Sequence, residues 1–246
     1  MVDTLGYRRK LGIIVPSTNT SVQPECEALR PPGVTNHIGR VYMENLRIAD
    51  DTNVARIVRI STSIDDAIDQ LMTCEVEHLI LGVNPDAFWD GPDASQKLHE
   101  HVTKRTGLGF TTGAEASLAA LQAIGGIKTL AILAPFIPTG KDITRLYRDQ
   151  GFKVLKVKGM GATSAVNIAH VSEEALRDAV LEVNSADVDA ILQVGNNLAM
   201  ARVAAEGERW LGKPVMSLNT MTYWRALRVN GINDKIYGFG SLLERY

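Results

Sequence analysis

The chain lacks most of the features that mark secreted, membrane-bound or metal-stapled proteins. It has two cysteines, Cys26 and Cys74, in 246 residues, too few for a disulfide framework, and it has no Cys-x-x-Cys spacing for a structural metal. No apolar run is long enough to cross a bilayer, and Met1–Lys10 has neither an apolar stretch nor a small-residue cleavage site. We therefore expect a cytoplasmic protein with no metal site and with free thiols.

The chain also lacks charge of one dominant sign. Its formal net charge is -2, with acids and bases interspersed and no basic run, which argues against a nucleic-acid partner. Gly159-Met160-Gly161 lacks the strand-to-helix context and the lysine of a nucleotide loop, so nucleotide binding is a weak alternative. We expect a small-molecule partner, no nucleic acid and no membrane, and a homo-oligomeric protein.

What the chain does have is nearly the same pattern twice. Apolar strands that stop at proline, glycine or asparagine recur at offsets of 119, 112 and 106 residues. The matched segments are Leu11–Asn19 with Leu130–Pro138, His78–Asn84 with Ala190–Asn196, and Phe110–Thr112 with Met216–Leu218. The repeat predicts two related α/β halves whose equivalent loops face one cleft.

Short apolar runs alternate with stretches of helical periodicity, which is typical of parallel strands joined by helices. The predicted strands lie near 11–15, 37–43, 78–83, 109–112, 129–134, 153–157, 189–194 and 214–217. The predicted helices lie near 21–29, 53–72, 92–106, 114–124, 139–150, 173–184, 197–211 and 220–229. We predict an α/β fold of two pseudo-two-fold related, Rossmann-like domains with parallel sheets and an interdomain cleft. The first comprises 1–125, with about 220–246 packing back on it, and the second comprises 126–219.

Ligands of open parallel sheets lie outside the carboxyl ends of the strands, and here those loops are rich in hydroxyl and amide side chains. Backbone N–H groups at helix starts, helped by such side chains, make a cradle for an anion such as a carboxylate. Helix capping uses the same atoms, so both interpretations stay open. The predicted substrate-binding residues are Ser17, Asn19, Val83, Asn84, Thr111, Thr112, Phe136, Gly195 and Asn196.

The segment Ile14-Val15-Pro16-Ser17-Thr18-Asn19-Thr20, followed by Pro24-Glu25, closely resembles the opening motif of bacterial maleate cis-trans isomerases. Phe88-Trp89-Asp90-Gly91, Thr111-Thr112 and Leu211-Gly212-Lys213-Pro214-Val215 extend the resemblance to the arylmalonate decarboxylase branch of the aspartate/glutamate/hydantoin racemase superfamily. The resemblance covers essentially the full length. It implies an Asp/Glu racemase-like fold, no cofactor, and a small carboxylate held between the domains.

The resemblance also shows where this chain departs from the family. Enzymes of the superfamily commonly use one cysteine from each half, because a thiolate can attack carbon or exchange a proton beside a carboxylate. Those positions fall here on Val83 and Gly195. The family's carboxylate-binding asparagine corresponds to Asn19, and a tyrosine of the second-half loop corresponds to Phe136.

With both thiols absent, another group must move protons. Asp86 follows the vacant first position, and packing by Phe88 and Trp89 could raise its pKa and make it a general acid or base, although it could equally cap the turn after Pro85. His170 is a second candidate because it follows a loop whose family counterpart reaches the substrate. A structural role for this histidine is the main alternative.

The sequence therefore predicts a cofactor-independent isomerase or lyase that acts on a small carboxylate by acid–base chemistry without the cysteine pair. Two alternatives remain open. One is a hydrolase of a small amide or cyclic substrate that uses Asp86-activated water. The other is a carboxylate-binding protein that has lost catalysis.

Overall fold

The computed structural model describes residues 2–45, 64–84, 94–136 and 144–246. These residues form two four-stranded parallel sheets flanked by helices. The strands are β1 (Arg9–Pro16), β2 (Val34–Val41), β3 (His78–Leu81), β4 (Gly109–Thr111), β5 (Thr129–Ala134), β6 (Lys153–Gly159), β7 (Ala190–Gln193) and β8 (Val215–Ser217). The helices are α1 (Val22–Ala28), α2 (Ile64–Met72), α3 (Ala94–Thr106), α4 (Gly113–Ile124), α5 (Arg145–Asp149), α6 (Glu173–Val183), α7 (Ala201–Leu211), α8 (Leu218–Val229) and α9 (Ser241–Arg245).

The two sheets have the same topology, β2-β1-β3-β4 and β6-β5-β7-β8. This confirms the predicted fold class of two related halves with parallel sheets. The central strands are continuous apolar runs because both of their faces are covered, which is typical of parallel sheets. The edge strand β6 instead carries lysines on a half-exposed surface, a pattern that discourages pairing with other chains.

The predicted strands are all present, with their ends shifted by a few residues. Parts of the predicted helices 53–72, 92–106 and 139–150 lie outside the described residues. The structure adds two short elements that the periodicity did not indicate, α9 and a 3₁₀ turn at Asn167–His170. Elements this short carry too few residues to show a repeating apolar stripe.

Strand pairing tests the offsets of the repeat. Leu11 pairs with His78 in the first sheet, and Leu130 pairs with Ala190 in the second, which reproduces the offsets of 119 and 112. The third predicted offset, 106, is wrong by one residue. The Leu79–Phe110 pair corresponds to the Ile191–Val215 pair, so the offset is 105.

The corrected register makes Thr112 and Ser217 equivalent, and the two residues have the same local role. Thr112 Oγ1 accepts a hydrogen bond from Glu115 N at the start of α4, and Ser217 Oγ accepts one from Thr220 N at the start of α8. A hydroxyl in this position satisfies a backbone donor that the helix itself cannot pair.

A hydrophobic core shared by both halves lies between the sheets. Helices α4 and α8 pack against each other there, and a Cβ built on Gly113 would meet Leu218 Cδ1 at 3.0 Å. The same apolar cluster includes Leu11 of β1 and Leu130 of β5, both fully buried. Helix α8 contacts α1 and α4, and the chain beyond it also reaches α7, where Ser241 N donates to Glu208.

The division into 1–125 plus 220–246 and 126–219 stays a prediction.

His78 is a buried histidine at the start of β3. Its ring Nε2 lies 2.8 Å from Thr111 Oγ1, and its ring crosses Gly109, where an added Cβ would lie 2.6 Å from Nδ1. Burial is the main reason that the pKa of His78 falls to about 4, with smaller contributions from the charges of Arg9 and Arg225. The side chain is therefore neutral at physiological pH.

The protein is expected to lose stability as the pH falls from 7 to 5, in part because of His78. Its pKa is about 4 when folded, against an ordinary value of 6.5, so between these pH values the unfolded state binds more protons than the folded state. At about 1.4 kcal/mol per pKa unit, this histidine should lower the free energy of unfolding by on the order of 2 kcal/mol between pH 7 and pH 5. Urea unfolding of wild type and His78→Gln at both pH values measures it. An equal pH dependence in the two proteins would contradict the assignment.

Candidate functional site

The loops at the carboxyl ends of the strands come together between the two halves. In each sheet, two consecutive strands, β2 and β3 or β6 and β7, lie on opposite sides of a central strand, β1 or β5. The strand order thus reverses beside each central strand, which in such sheets is where ligands bind. The described parts that meet there are the loops after β1, β7 and β8 and the segment before the Asn167–His170 turn.

Asn19 has one half of its amide engaged and the other half free. Its Oδ1 accepts hydrogen bonds from Ser21 N at 3.1 Å and Val22 N at 2.9 Å, which caps α1 and fixes the amide orientation. The residue is 4% exposed, and Nδ2 donates to no atom of the described residues. Asn19 therefore presents an unused N–H donor beside the other loops.

Asn197 connects the loops of the two halves. Its Oδ1 accepts from Thr20 N at 2.9 Å and from Ser21 N at 3.3 Å. Its Nδ2 donates to Ala165 O at 2.9 Å and to Thr18 O at 3.4 Å. One buried amide thus holds three segments in register, because each of its polar groups would be left unpaired if a segment moved.

Asn196, one residue earlier, pairs with Asn219 of α8. Asn196 Nδ2 donates to Asn219 Oδ1 at 3.1 Å, and Asn219 Nδ2 donates to Asn196 O at 2.9 Å. Asn219 Nδ2 also donates to Glu25 Oε2 at 2.7 Å. Burial raises the pKa of the Glu25 carboxyl, while hydrogen bonds from Ala201 N, Asn219 and Met200 N act in the opposite direction.

The loop after β7 is held in place by the Gln193 side chain, and two of its backbone N–H groups are unpaired in the described part of the chain. The buried Gln193 side chain donates to Val194 O and Gly195 O, each at 2.7 Å, and accepts from Leu218 N at 3.2 Å. Among the described residues, no acceptor is found for the backbone N–H groups of Asn196 and Asn197. Successive unpaired N–H groups form a concavity suited to an anion.

Gly195 has a backbone conformation that excludes larger residues. Its φ is +96°, and a Cβ at this position would lie 2.7 Å from both Cδ and Cγ of Pro135. The predicted position of the family's second thiol is thus closed to a side chain unless the loop moves. Val83, at the first thiol position, is buried and packs with the outer core of the first half.

The other predicted binding residues have partners of their own. Ser17 Oγ accepts from Met43 N, Thr111 bonds to His78, and Thr112 caps α4. Phe136 is partly buried against the second-half core, and Asn84 is exposed at the last described position after β3. Their roles in binding substrate stay predictions.

The two predicted proton carriers are located differently. Asp86, with Phe88 and Trp89 beside it, lies outside the described residues. His170 is exposed at the end of the 3₁₀ turn, where its Nδ1 lies 3.1 Å from Asn167 Nδ2. Among the described residues this is the one hydrogen bond of the imidazole ring, and the catalytic role of His170 also stays a prediction.

Neither cysteine is part of the loops after β3 and β7. Cys26 is buried in α1, where desolvation raises the pKa of its thiol well above the ordinary value. Cys74 is exposed in the turn that precedes β3, at the opposite end of the sheet from the loops. Neither position is that of a nucleophile in the loops at the carboxyl ends of β3 and β7.

The described residues contain neither a metal-ligand cluster nor a membrane-spanning helix. Within residues 2–45, 64–84, 94–136 and 144–246, no three histidine, cysteine or acidic side chains are grouped so that they could hold a metal ion. In the same ranges, no helix combines the length and the apolar character needed to cross a membrane.

The fold and these loops define a class of proteins with two similar α/β halves whose polar loops meet between them. The chain belongs to the arylmalonate decarboxylase family, whose profile matches residues 11–243. This confirms the family resemblance seen in the sequence, and with it the predicted class, an enzyme of the isomerase and lyase type. Because the related proteins are isomerases and decarboxylases, the hydrolase and non-catalytic alternatives are not favoured.

Individual relatives are distant but cover the chain well. A maleate isomerase of Pseudomonas putida is 24% identical over 252 residues, which is 96% of this chain and 97% of that protein. An arylmalonate decarboxylase of Bordetella bronchiseptica is 26% identical over 162 residues, 64% of this chain and 67% of that protein. A Nocardia farcinica maleate cis-trans isomerase mutant with a covalently bound succinylcysteine intermediate has a TM-score of 0.79 at 19% identity, over 97% of this chain and 99% of that one.

Sequence reasoning missed two side chains that build the site, Gln193 and Glu25. Gln193 lay inside a predicted strand, and nothing in its neighbours indicated that it would hold the loop after β7. Glu25 was part of the family motif, and a carboxylate in the first turn of a helix after a central strand was the signal that could have identified it.

Proposed function

We propose that this protein is a cofactor-independent lyase or isomerase that acts on a small carboxylate by acid–base chemistry, without thiolate addition. The observation that carries the proposal is the set of open donors at the cleft, Asn19 Nδ2 and the N–H groups of Asn196 and Asn197. These groups suit a carboxylate and the charge that develops on it during reaction. The positions of Cys26 and Cys74 argue against a covalent succinylcysteine of the kind named for the Nocardia protein.

Decarboxylation of a malonate is the reaction that fits these groups best. The bond between the α-carbon and one carboxylate breaks, carbon dioxide leaves, and the electron pair is delocalised into the remaining carboxylate. Preorganised N–H donors stabilise that charge more than they stabilise the substrate, which lowers the barrier. A proton from an acid then adds to the α-carbon.

Purified protein incubated with phenylmalonate in D₂O tests this function by proton NMR. We expect phenylacetate with deuterium at the α-carbon, and no fumarate from maleate in a parallel sample. A cyclic amide in a third sample checks the hydrolase alternative, and calorimetry with phenylmalonate checks binding without turnover. Absence of both turnover and binding for every carboxylate would reject the proposal.

Asp86→Asn is expected to lower kcat for this reaction by at least about tenfold, because a positioned acid or base commonly contributes that much or more. The amide keeps the size of the side chain but cannot carry the proton. Asp90→Asn, four residues later, is the matched control and should retain wild-type turnover. Unchanged kcat in Asp86→Asn would remove Asp86 from the mechanism, and the same assay on His170→Gln tests the second candidate.

The proposal includes a homo-oligomer located in the cytoplasm, as expected from the sequence. Sedimentation velocity at several protein concentrations measures the oligomeric state. A single monomeric species throughout would contradict that part of the proposal and leave the chemistry of the cleft unaffected.

A further inference from the structure

Glu25 belongs to the first half of the molecule, but both of its carboxylate oxygens bind the second half. Oε1 accepts from Ala201 N at 2.7 Å, at the first turn of α7, and Oε2 accepts from Asn219 Nδ2 at 2.7 Å. The N-cap residue of α7, Met200, makes no side-chain cap of its own. Glu25 therefore caps a helix of the opposite half, where the N–H groups of the first turn lack partners within the helix and attract a negative charge.

The same carboxylate fixes the asparagine pair that leads to the loop after β7. Because Asn219 Nδ2 donates to both Glu25 and Asn196 O, its amide is held in one orientation. Asn219 Oδ1 is then turned to accept from Asn196 Nδ2. The carboxylate, the two amides and the loop form one continuous hydrogen-bonded chain that ends next to the open N–H groups of Asn196 and Asn197.

We infer that Glu25 is a positioning residue, which sets the geometry of the anion-binding loop 195–197 through Asn219 and Asn196. The inference rests on the proposed function, since it names the group that holds the binding loop in its active form. In this role Glu25 acts through Asn219 and Asn196 and does not itself bind the substrate. Among the described residues no cation pairs with this carboxylate, so backbone and amide donors alone hold it.

A carboxylate suits this position because it accepts at both ends. The two donors, Ala201 N–H and Asn219 Nδ2–H, lie on different oxygens. A glutamine has one acceptor oxygen, so one of the two donors must face its NH₂ group and lose its partner. Glu25→Gln should therefore preserve the size and helix propensity of the side chain while breaking one of its two hydrogen bonds, from Ala201 N or from Asn219 Nδ2.

The test combines ligand affinity with a measurement that needs no ligand. Calorimetry with phenylmalonate should give a Kd about tenfold higher for Glu25→Gln than for wild type, while Glu27→Gln should be unchanged. Glu27 is the matched control because it lies in the same helix, is exposed, and pairs with Arg30. Independently, NMR hydrogen exchange at Ala201 N–H and the Asn219 side-chain signals should change in Glu25→Gln alone.

A double-mutant cycle separates positioning from general destabilisation. If Glu25 acts through Asn219, the effects of Glu25→Gln and Asn219→Ala on Kd will be strongly non-additive, whereas independent damage to the fold would add. Wild-type Kd and wild-type exchange in Glu25→Gln would overturn the inference, as would additive effects. If wild type itself binds no phenylmalonate, the proposed function fails, and the exchange data alone still decide whether Glu25 holds this loop.

Discussion

Gly195→Ala is expected to lower the free energy of unfolding by about 3 kcal/mol or more. The left-handed backbone conformation at this position costs a residue with a Cβ about 1–2 kcal/mol. The contact adds a second penalty, because the new Cβ would lie 2.7 Å from the Pro135 ring, and such overpacking typically costs about 1–3 kcal/mol. Urea unfolding monitored by circular dichroism measures the difference.

Two further variants separate these penalties. Gly126 also has a positive φ, +73°, but has no atom within 4 Å of an added Cβ, so Gly126→Ala should show the backbone penalty alone. Pro135→Ala removes Cγ and Cδ, the two close ring carbons, and in that background Gly195→Ala should cost about as much as Gly126→Ala. An equal cost of Gly195→Ala and Gly126→Ala in the wild-type background would show that the Pro135 contact is relaxed in solution.

The steric restriction at Gly195 bears on the reaction mechanism because Gly195 is the predicted position of the family's second thiol. A cysteine there must meet the same steric restriction as alanine, so Gly195→Cys alone does not place a sulfur where the family would carry one. The backbone and the proline have to change together. As it stands, the loop after β7 carries no thiol, and it has N–H groups that are unpaired within the described residues.

The strands and the repetition of their pattern could be predicted because both depend on local information. A run such as Ile13–Val15 is apolar at every position only if both faces of its strand are covered, and its repetition at Leu130–Leu133 indicates a second sheet of the same kind. The one-residue error in the last offset has a local cause as well. The sequence match paired Thr111 with Ser217, whereas backbone pairing makes Thr112 the equivalent of Ser217.

The contacts that build the site could not be predicted in this way. Asn197 and Thr20 are 177 residues apart in the chain, and Glu25 and Asn219 are 194 apart. Their pairing depends on how the two halves pack through α4 and α8, which no local pattern encodes. A sequence gives each polar residue several possible partners, and capping by its own helix is the commonest of them.

Asn19→Asp is expected to raise the Kd for phenylmalonate by about 100-fold or more while leaving the fold intact. An aspartate keeps an oxygen in the place of Oδ1, so it still accepts from Ser21 N and Val22 N and caps α1. Its second oxygen replaces the free Nδ2–H₂ group, which removes a donor and places a negative charge next to the anion site. Calorimetry gives the Kd, and urea unfolding should agree with wild type to within about 1 kcal/mol.

Two control variants test whether the effect on affinity comes from the free Nδ2 group of Asn19. Asn19→Ala removes the cap as well as the donor, so it should lower stability by about 1 kcal/mol in addition to weakening binding. Asn233→Asp makes the same charge change at an exposed position and should leave the Kd unchanged. Asn19→Asp should change affinity without changing stability, because Oδ1 binds the backbone at the start of α1 and Nδ2 is the group proposed to bind the ligand. Wild-type affinity in Asn19→Asp, with binding intact in Asn233→Asp, would remove Asn19 Nδ2 from the anion site.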